Sequence, residues 1–241
     1  MDAERQLYHV AGTAYMTSAW RRVAAIAAKD LTAERRAKAN VVAVASLGAL
    51  ILLVFGFAVG PDAATLRATA AGILWLAVLF SGVLVFHRSY QIELEGGALE
   101  TLLLYPADRW EIFAGKLLAN ICVVLLVEAV VMPLAVIFYN IAVPHTWPAL
   151  LSVVILGTLG FVTLGTFYAA MASRARSREV LLPLLLFPML VPVLLAASEG
   201  SAALLGGDAM GDAGAWLRLL IAFDIIFILA SLLVFEHIIE A

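Results

Sequence analysis

The stretch from Ala39 to Val59 reads ANVVAVASLGALILLVFGFAV and contains no charged residue. A helix needs about 20 mainly apolar residues to cross the roughly 30 Å hydrocarbon core of a bilayer, so this stretch is long enough to span a membrane. Five further apolar stretches follow it, at about 68–86, 117–141, 149–172, 180–197 and 216–235. The pattern predicts six transmembrane helices, with kinks or a break in the fifth at Pro183, Pro188 and Pro192.

The composition excludes a water-soluble protein. Of the 241 residues, 64% are hydrophobic and 14% are charged, and the mean hydropathy is +1.02. Soluble domains carry about 45–50% apolar and about 25% charged residues, so this chain has too little polar surface for one. The formal net charge of −3 argues against a basic nucleic-acid-binding surface. The single cysteine, Cys122, excludes a disulfide within the chain. The sequence therefore predicts an all-α membrane protein.

Basic residues lie almost entirely on one side of the predicted spans. Of the 15 Lys and Arg residues, all but Arg67 and Arg218 precede the first span or lie between the second and third or the fourth and fifth spans. Cytoplasmic loops of membrane proteins are enriched in Lys and Arg, so both termini and these two loops are predicted to be cytoplasmic. The predicted outer loops are 60–67, 143–148 and 198–215. This topology predicts a multi-pass protein of the inner, cytoplasmic, membrane.

Residues 1–38 form the predicted cytoplasmic N-terminus, ahead of a six-helix membrane domain at 39–241. An amphipathic helix is predicted there from Trp20 to about Leu31, with Arg22 and Lys29 opposite an apolar stripe made of Trp20, Val23, Ala24, Ala27 and Leu31. Such a helix lies in the membrane interface, with its cationic side chains toward anionic headgroups of the bilayer. The predicted interfacial residues are Trp20, Arg21, Arg22 and Lys29. The helix is either a membrane anchor or an elbow helix that buttresses a transport domain.

A second cytoplasmic feature is the segment at about 88–108, whose core reads HRSYQIELEGGALETLLLYP at 87–106. Its apolar run, Ala98–Leu104, is too short to span a membrane, and Pro106 ends it because proline disfavours a helical conformation in the preceding residue. Asp108 and Glu111 have the spacing of a capping box, which predicts that the third spanning helix begins near Arg109. The result is a short helix with exposed leucines, which indicates either a docking site or an interfacial turn whose leucines enter lipid.

The same segment carries a family resemblance. The pattern ELEGGALETLLLYP at 93–106, followed by GKLLAN at 115–120, resembles the CcmB family, the haem exporter B permeases of the cytochrome c maturation ABC complex. Many members of that family have an acidic residue where this chain has Gly96. The resemblance implies an ABC-2-type exporter-like permease in which this segment is a coupling helix for a separate ATPase subunit. The implied coupling residues are Glu93, Glu95, Gly97, Leu99, Glu100, Leu102, Leu103 and Pro106.

The resemblance also implies a set of partners. It implies a homodimer of this chain, bound to two ATP-binding subunits and associated with a haem-handling membrane protein and its periplasmic haem chaperone. ATP hydrolysis in the partner would then drive either haem export or the release of the haem-loaded chaperone. The resemblance thus implies that haem is a transported or handled ligand and not a resident cofactor. It implies that ATP is bound by the partner subunit.

The motifs that the sequence lacks fit a non-catalytic subunit. It contains no Gly-x-x-x-x-Gly-Lys-Ser/Thr phosphate loop, which predicts that ATP hydrolysis takes place in a partner chain. It contains no Cys-x-x-Cys-His motif for covalent haem attachment and no paired-histidine motif for a metal site. His9, His87, His145 and His237 are far apart in the sequence, and we expect them to be interfacial polar residues, not haem ligands.

Two acidic residues, Glu128 and Asp224, fall inside predicted spans. An ionisable residue in a membrane helix is costly and usually faces the bundle interior or water. The sequence leaves several roles open for both residues: cross-helix pairing, a dimer interface, or a transport or coupling role. For Asp224 it also allows a shallow position near the outer leaflet. The small residues Gly165 and Ala169 favour close helix contact, either within the bundle or at a homodimer seam.

Two other functions compete with cytochrome c biogenesis. The closest is an ABC-2-type export permease for a lipid, a polysaccharide or a drug, which shares the elbow helix, six spans and coupling helix. The second is a non-transporting membrane scaffold that organises cytochrome maturation. An intramembrane enzyme is a distant third, because the sequence shows no nucleophile–base arrangement.

Overall fold

The computed structural model describes the backbone of residues 2–95, 108–141, 145–173, 178–207 and 211–238, and side chains within 18–90, 108–141, 145–173, 182–207 and 211–235. These residues form helices and no strands. The seven helices of the described residues are α1 Asp2–Arg36, α2 Lys38–Val59, α3 Ala63–Glu95, α4 Arg109–Phe138, α5 Trp147–Ser173, α6 Arg178–Leu205 and α7 Asp212–Ile238. The last six, α2 to α7, are long and apolar enough to cross a membrane, which confirms the all-α membrane fold with six spans.

Several helix boundaries differ from the sequence prediction: α3 continues to Glu95, beyond the predicted end of the second span at about 86, and α7 begins at Asp212, ahead of the predicted start at about 216. The helix α6 continues to Leu205, so the first part of the predicted outer loop 198–215 is helical. The polar residues in this last part of α6 lower its hydropathy, which is why the sequence indicates a loop. In the structure, however, Ser201 is buried and accepts a hydrogen bond from the Trp75 indole at 3.1 Å. The helix α3 begins at Ala63, where Asp62 accepts a hydrogen bond from the Thr65 backbone N–H at 2.9 Å, so Arg67 lies on a helix and not in a loop.

Of the kinks or the break predicted for the fifth span, the break is absent. Pro183, Pro188 and Pro192 all lie inside the continuous helix α6. Each proline removes one backbone hydrogen bond, but membrane helices tolerate this loss because neighbouring helices support them. Leu186 and Leu190, between these prolines, and Val193, directly after the last of them, are completely buried, which shows that α6 is held by its neighbours.

The helices α3 and α5 form the centre of the bundle. In each of these two helices, 61% of an apolar stretch of 18 residues is buried inside the bundle, against 17% of the corresponding stretch in α2. Phe161 of α5 lies over Gly82 of α3, and Phe86 of α3 lies over Gly165 of α5, with the two rings 5.0 Å apart. A Cβ at either glycine would lie within 2.3 Å of a ring atom. The small-residue face of α5 is therefore used inside the chain and is not a homodimer seam.

The bundle has one end at which α1, the end of α3, the start of α4 and the end of α7 meet. Phe113 in the first turns of α4 contacts Phe235 near the end of α7, with ring centroids 5.0 Å apart. The N-terminal and C-terminal helices therefore reach the same end of the bundle, as an even number of spans requires. We call this the basic end, because it carries the basic residues that the sequence predicts to be cytoplasmic.

Candidate functional site

The helix α1 packs closely against the first turns of α4 at the basic end. From residue 18 onward, where its side chains are described, the buried ones are Ala19, Val23, Ile26 and Ala27. At Gly115 of α4, an added Cβ would lie 2.7 Å from Ile26 Cβ and 3.1 Å from the Val23 carbonyl oxygen. Only glycine allows the two helices to approach this closely.

The buried face of α1 differs from the predicted apolar stripe. Trp20 is 56% exposed and Ala24 is exposed, whereas Arg22, predicted on the opposite face, is directed toward α4. At 100° per residue the true buried face is rotated by roughly 70° from the predicted one. The predicted stripe was expected to face the membrane interface, and that part of the prediction stays a prediction; the face that packs against α4 is set by Glu111, which binds Arg22. The Trp20 ring still meets the Trp110 ring edge to face, 6.4 Å apart.

Arg22 and Glu111 form an ion pair between α1 and α4. Arg22 Nε donates to Glu111 Oε2 at 2.7 Å, and Nη2 donates to Oε1 at 2.5 Å. The Glu111 side chain is completely buried, while that of Arg22 is 23% exposed. Glu111 also accepts a hydrogen bond from the Asp108 backbone N–H at 3.2 Å, within the capping box that the sequence predicts. One carboxylate thus caps α4 and binds α1.

Lys116 joins three helices. Its side chain is completely buried on α4, and its Nζ donates to the Ser89 carbonyl oxygen of α3 at 3.0 Å and to Asp30 Oδ2 of α1 at 3.3 Å. The ammonium group also lies 4.5 Å from the centroid of the Tyr90 ring, within the range of a cation–π contact. A buried charge is tolerated when paired and hydrogen-bonded in this way.

A further carboxyl of α1 faces α3. Burial raises the pKa of Glu34, the positive charge of Arg88 on α3 opposes that rise, and the negative charge of Asp30 adds to it. Arg22 and Asp30 of α1 and Glu111 and Lys116 of α4 make polar contacts between the two helices, which Lys116 extends to α3, and we call these four residues the polar junction.

The polar junction flanks the predicted coupling segment. The helix α3 ends at Glu95 and α4 begins at Arg109, so both helices that lead into residues 96–107 are held by Lys116 and Glu111. Glu93 and Glu95 lie in the last turn of α3, and their predicted coupling role stays a prediction. The remaining predicted coupling residues lie outside the described residues and stay predictions: Gly97, Leu99, Glu100, Leu102, Leu103 and Pro106.

The other predicted interfacial residues lie around the junction. Arg21 is exposed, and Lys29 Nζ lies 2.9 Å from Asp30 Oδ1, beside the Lys116 contact. Sequence reasoning placed Lys116 in the loop before the third span and did not single out Asp30. The sequence does hold one sign of this contact. Lys116 directly precedes the apolar run of the third span, where a charge requires a partner.

Glu128 makes a cross-helix contact inside the membrane. The Thr158 hydroxyl of α5 lies 2.7 Å from Glu128 Oε1 and 2.9 Å from Oε2, so it can donate to either oxygen. Asn120 Nδ2 donates to Thr166 Oγ1 at 2.9 Å between the same two helices. Of the roles open from the sequence, the structure shows cross-helix pairing for Glu128.

Asp224 has different surroundings. It lies midway along the spanning part of α7, Asp212–Phe235, and is 3% exposed. Both carboxyl oxygens are buried and have no hydrogen-bond partner among the described residues.

Comparisons with known proteins agree with this architecture. A model of the family described as "CcmB protein" matches residues 21–240. The relatives called "Heme exporter protein B" include one from Haemophilus influenzae, 31% identical over 62% of this chain and 67% of its own length. Those from Paracoccus denitrificans and Rhodobacter capsulatus are 34% and 31% identical, over 59% and 62% of this chain and 65% and 68% of their own lengths. The alignments thus cover about two thirds of each relative. Because the family match covers most of the sequence, this chain belongs to the CcmB protein family.

Proposed function

We propose that this chain is the membrane-spanning subunit of an ABC complex of cytochrome c biogenesis. In this complex, ATP hydrolysis by a partner subunit drives haem export or the release of a haem-loaded periplasmic chaperone. The observation that carries the proposal is the family match over residues 21–240, together with relatives called heme exporter protein B. Six helices that can cross a membrane fit a permease subunit that performs no catalysis of its own.

The proposed docking site for the ATPase is the coupling segment at about 88–108, of which residues 96–107 connect α3 to α4 at the cytoplasmic, basic end. Leu99, Leu102 and Leu103 supply apolar contact there, and Glu93, Glu95 and Glu100 pair with basic residues of the partner. The support from the structure lies on either side of the segment, where Lys116 ties α3 to α4 and Asp30 ties both to α1.

The polar junction gives this docking site a means of transmitting movement. When the ATPase displaces the segment, α3 and α4 cannot move separately without breaking the buried contact of Lys116 with Ser89, and α1 and α4 cannot do so without breaking the Arg22–Glu111 pair. Well-packed interfaces switch between discrete arrangements and do not deform continuously. On this proposal α1, α3 and α4 therefore move as one body, and α1 is an elbow helix of the transport domain as well as a membrane anchor.

The proposed complex contains two copies of this chain, two ATP-binding subunits, a haem-handling membrane protein and a periplasmic haem chaperone. It lies in the inner membrane. The test of the function is a deletion strain in which c-type cytochromes are detected by haem staining. We expect them to be lost and to return when the parent chain is supplied. Unchanged staining in the deletion strain would contradict cytochrome biogenesis and favour another export substrate.

A partner that binds but does not hydrolyse ATP separates a transporter from a scaffold. The deletion strain supplied with the parent chain and this inactive partner is expected to lack c-type cytochromes, because the proposal requires hydrolysis. If staining is normal with the inactive partner, the chain serves as an assembly scaffold and the coupling role is wrong.

A further inference from the structure

Asp224 lies midway along the apolar, membrane-spanning part of α7 and is enclosed by three helices. At about 1.5 Å per residue it is roughly 18 Å from the start of α7 at Asp212 and roughly 16 Å from Phe235. It is 3% exposed. A Cβ added to Gly160 of α5 would lie 2.6 Å from Asp224 Oδ1 and 2.8 Å from Val193 Cγ2 of α6. The carboxyl group is therefore enclosed between α5, α6 and its own helix.

Nothing in these surroundings compensates a negative charge on Asp224. Neither carboxyl oxygen has a hydrogen-bond partner among the described residues, in contrast to Glu128, which has Thr158. The other titratable groups in the membrane-spanning parts of the neighbouring helices are Arg109, Glu111, Lys116, Cys122 and Glu128 of α4, Tyr168 of α5 and Glu199 of α6. The two basic ones, Arg109 and Lys116, lie in the first turns of α4 at the basic end, where Phe113 contacts Phe235 and where Lys116 is bound to Asp30 and the Ser89 carbonyl oxygen.

The nearest basic residue along α7 is Arg218, which is exposed and lies roughly 9 Å from Asp224 along the helix axis. An isolated carboxylate in an apolar, water-free environment is too costly to persist, and such groups become neutral instead. Asp224 is therefore a neutral carboxylic acid in this arrangement of the helices.

The wall of this enclosure that is best suited to move is α6. Pro188 and Pro192 lie within its central turns, next to Val193, and each removes one backbone hydrogen bond from the helix. Helices bend most easily at such positions. Gly160, on the opposite wall, has no side chain that would remain in contact with the carboxyl group if α6 moved away.

We propose that Asp224 is an intramembrane proton-binding site, which exchanges its proton with water only when α6 moves away from α5 and α7. On opening, the carboxyl O–H bond breaks, the proton passes to water, and the carboxylate is stabilised by hydration. On closing, the carboxylate takes one proton back from water before the enclosure becomes dry. Each opening and closing thus releases and binds one proton. This site does not depend on the identity of the exported substrate.

Infrared spectroscopy of the purified full chain in lipid nanodiscs tests the proton-binding site. A protonated carboxyl has a C=O stretching band separate from the carboxylate bands. We expect one such band to disappear in Asp224→Asn, which keeps the shape of the side chain, and to remain in the matched variant Glu128→Gln. If the protonated-carboxyl bands of Asp224→Asn equal those of the parent at every pH, Asp224 is ionised and the proposal is wrong.

Transfer of the same samples into D₂O tests the role of α6. The Asp224 band is expected to shift slowly in the parent, because exchange requires opening. Val193→Ala removes two buried methyl groups from the wall and should speed the shift about tenfold. The matched control is Leu195→Ala on the same helix, where the side chain is 50% exposed and the rate should stay at the parent value. Equal rates in the two variants, or an immediate shift in the parent, would overturn the gating role of α6.

Discussion

Arg22 of α1 donates two hydrogen bonds to the carboxylate of Glu111 in the first turn of α4, although the two residues are 89 positions apart in the sequence. Glu111 is completely buried, and it also caps the N-terminus of α4. A negative charge at this end of a helix is favoured by the helix dipole. The pair therefore connects α1 to the start of α4 through the Glu111 carboxylate, which α4 also uses as its N-terminal cap.

Loss of this pair should lower the stability of the chain. We expect Arg22→Gln to reduce the free energy of unfolding by roughly 1–3 kcal/mol, because the buried Glu111 carboxylate is left without its charged partner. The measurement is denaturant unfolding of the purified chain in detergent. Arg21→Gln is the control, since Arg21 is exposed and its loss should change stability by less than about 0.5 kcal/mol. Equal stabilities of the two variants would show that the pair contributes nothing.

Replacing Lys116 should lower the stability of the chain more than replacing an exposed lysine. Lys116→Met keeps the length of the side chain but leaves Asp30 and the Ser89 carbonyl oxygen without the ammonium donor. We expect a loss on the order of 2 kcal/mol in the free energy of unfolding. Lys38→Met, at an exposed position at the start of α2, serves as the comparison. Parent-like stability of Lys116→Met would mean that the buried charge does not hold the three helices together.

Gly115 should control how closely α1 approaches α4. Gly115→Ala places a methyl group against Ile26 and should loosen α1 by roughly 1–3 kcal/mol, the usual cost of overpacking. Trypsin, which cuts after Arg21, Arg22 and Lys29, should then cleave α1 about tenfold faster. The matched variant is Gly72→Ala, whose Cβ would lie at an ordinary 3.6 Å from Ser198 Oγ. The same cleavage rate in both variants would contradict a close contact at Gly115.

The Glu128–Thr158 contact predicts a difference between two variants. Glu128→Gln retains an oxygen that accepts the Thr158 hydroxyl, so its stability should stay within about 1 kcal/mol of the parent. Thr158→Val removes the only protein donor that the structure shows for the buried Glu128 carboxyl within the described residues, and should cost roughly 1–3 kcal/mol. Unfolding in detergent distinguishes the two. A larger loss in Glu128→Gln than in Thr158→Val would reverse this assignment and favour an essential charge.

The sequence predicts the parts of the fold that depend on local properties. Six apolar stretches predict six spans, and the spacing of Asp108 and Glu111 predicts where α4 begins, because hydropathy and capping are read from neighbouring residues. The position at which α6 ends cannot be predicted from neighbouring residues in this way. Ser201 looks like part of a polar loop until Trp75, 126 positions away, is seen to donate a hydrogen bond to it.

The polar junction could not be predicted from the sequence for the same reason. Asp30 and Lys116 are 86 positions apart, and each by itself reads as a solvated charge at the membrane surface. The face of α1 was also ambiguous, because Ala24 and Ala27 are equally suited to lipid and to a helix contact. Long-range pairing decides which face is buried, and it is not visible in the helical period.

The measurement that tests the central claim most directly is the ATP hydrolysis that co-purifies with the tagged chain from native membranes. The account predicts that hydrolysis is present with the parent chain and is lost with Leu99→Asp, which puts a charge into the predicted docking segment. It also predicts that hydrolysis persists with Thr32→Asp, which puts the same charge on the exposed side of α1 at the same end. Hydrolysis that is absent from the parent, or undiminished in Leu99→Asp at equal amounts of membrane protein, would contradict a permease coupled to an ATPase through residues 96–107.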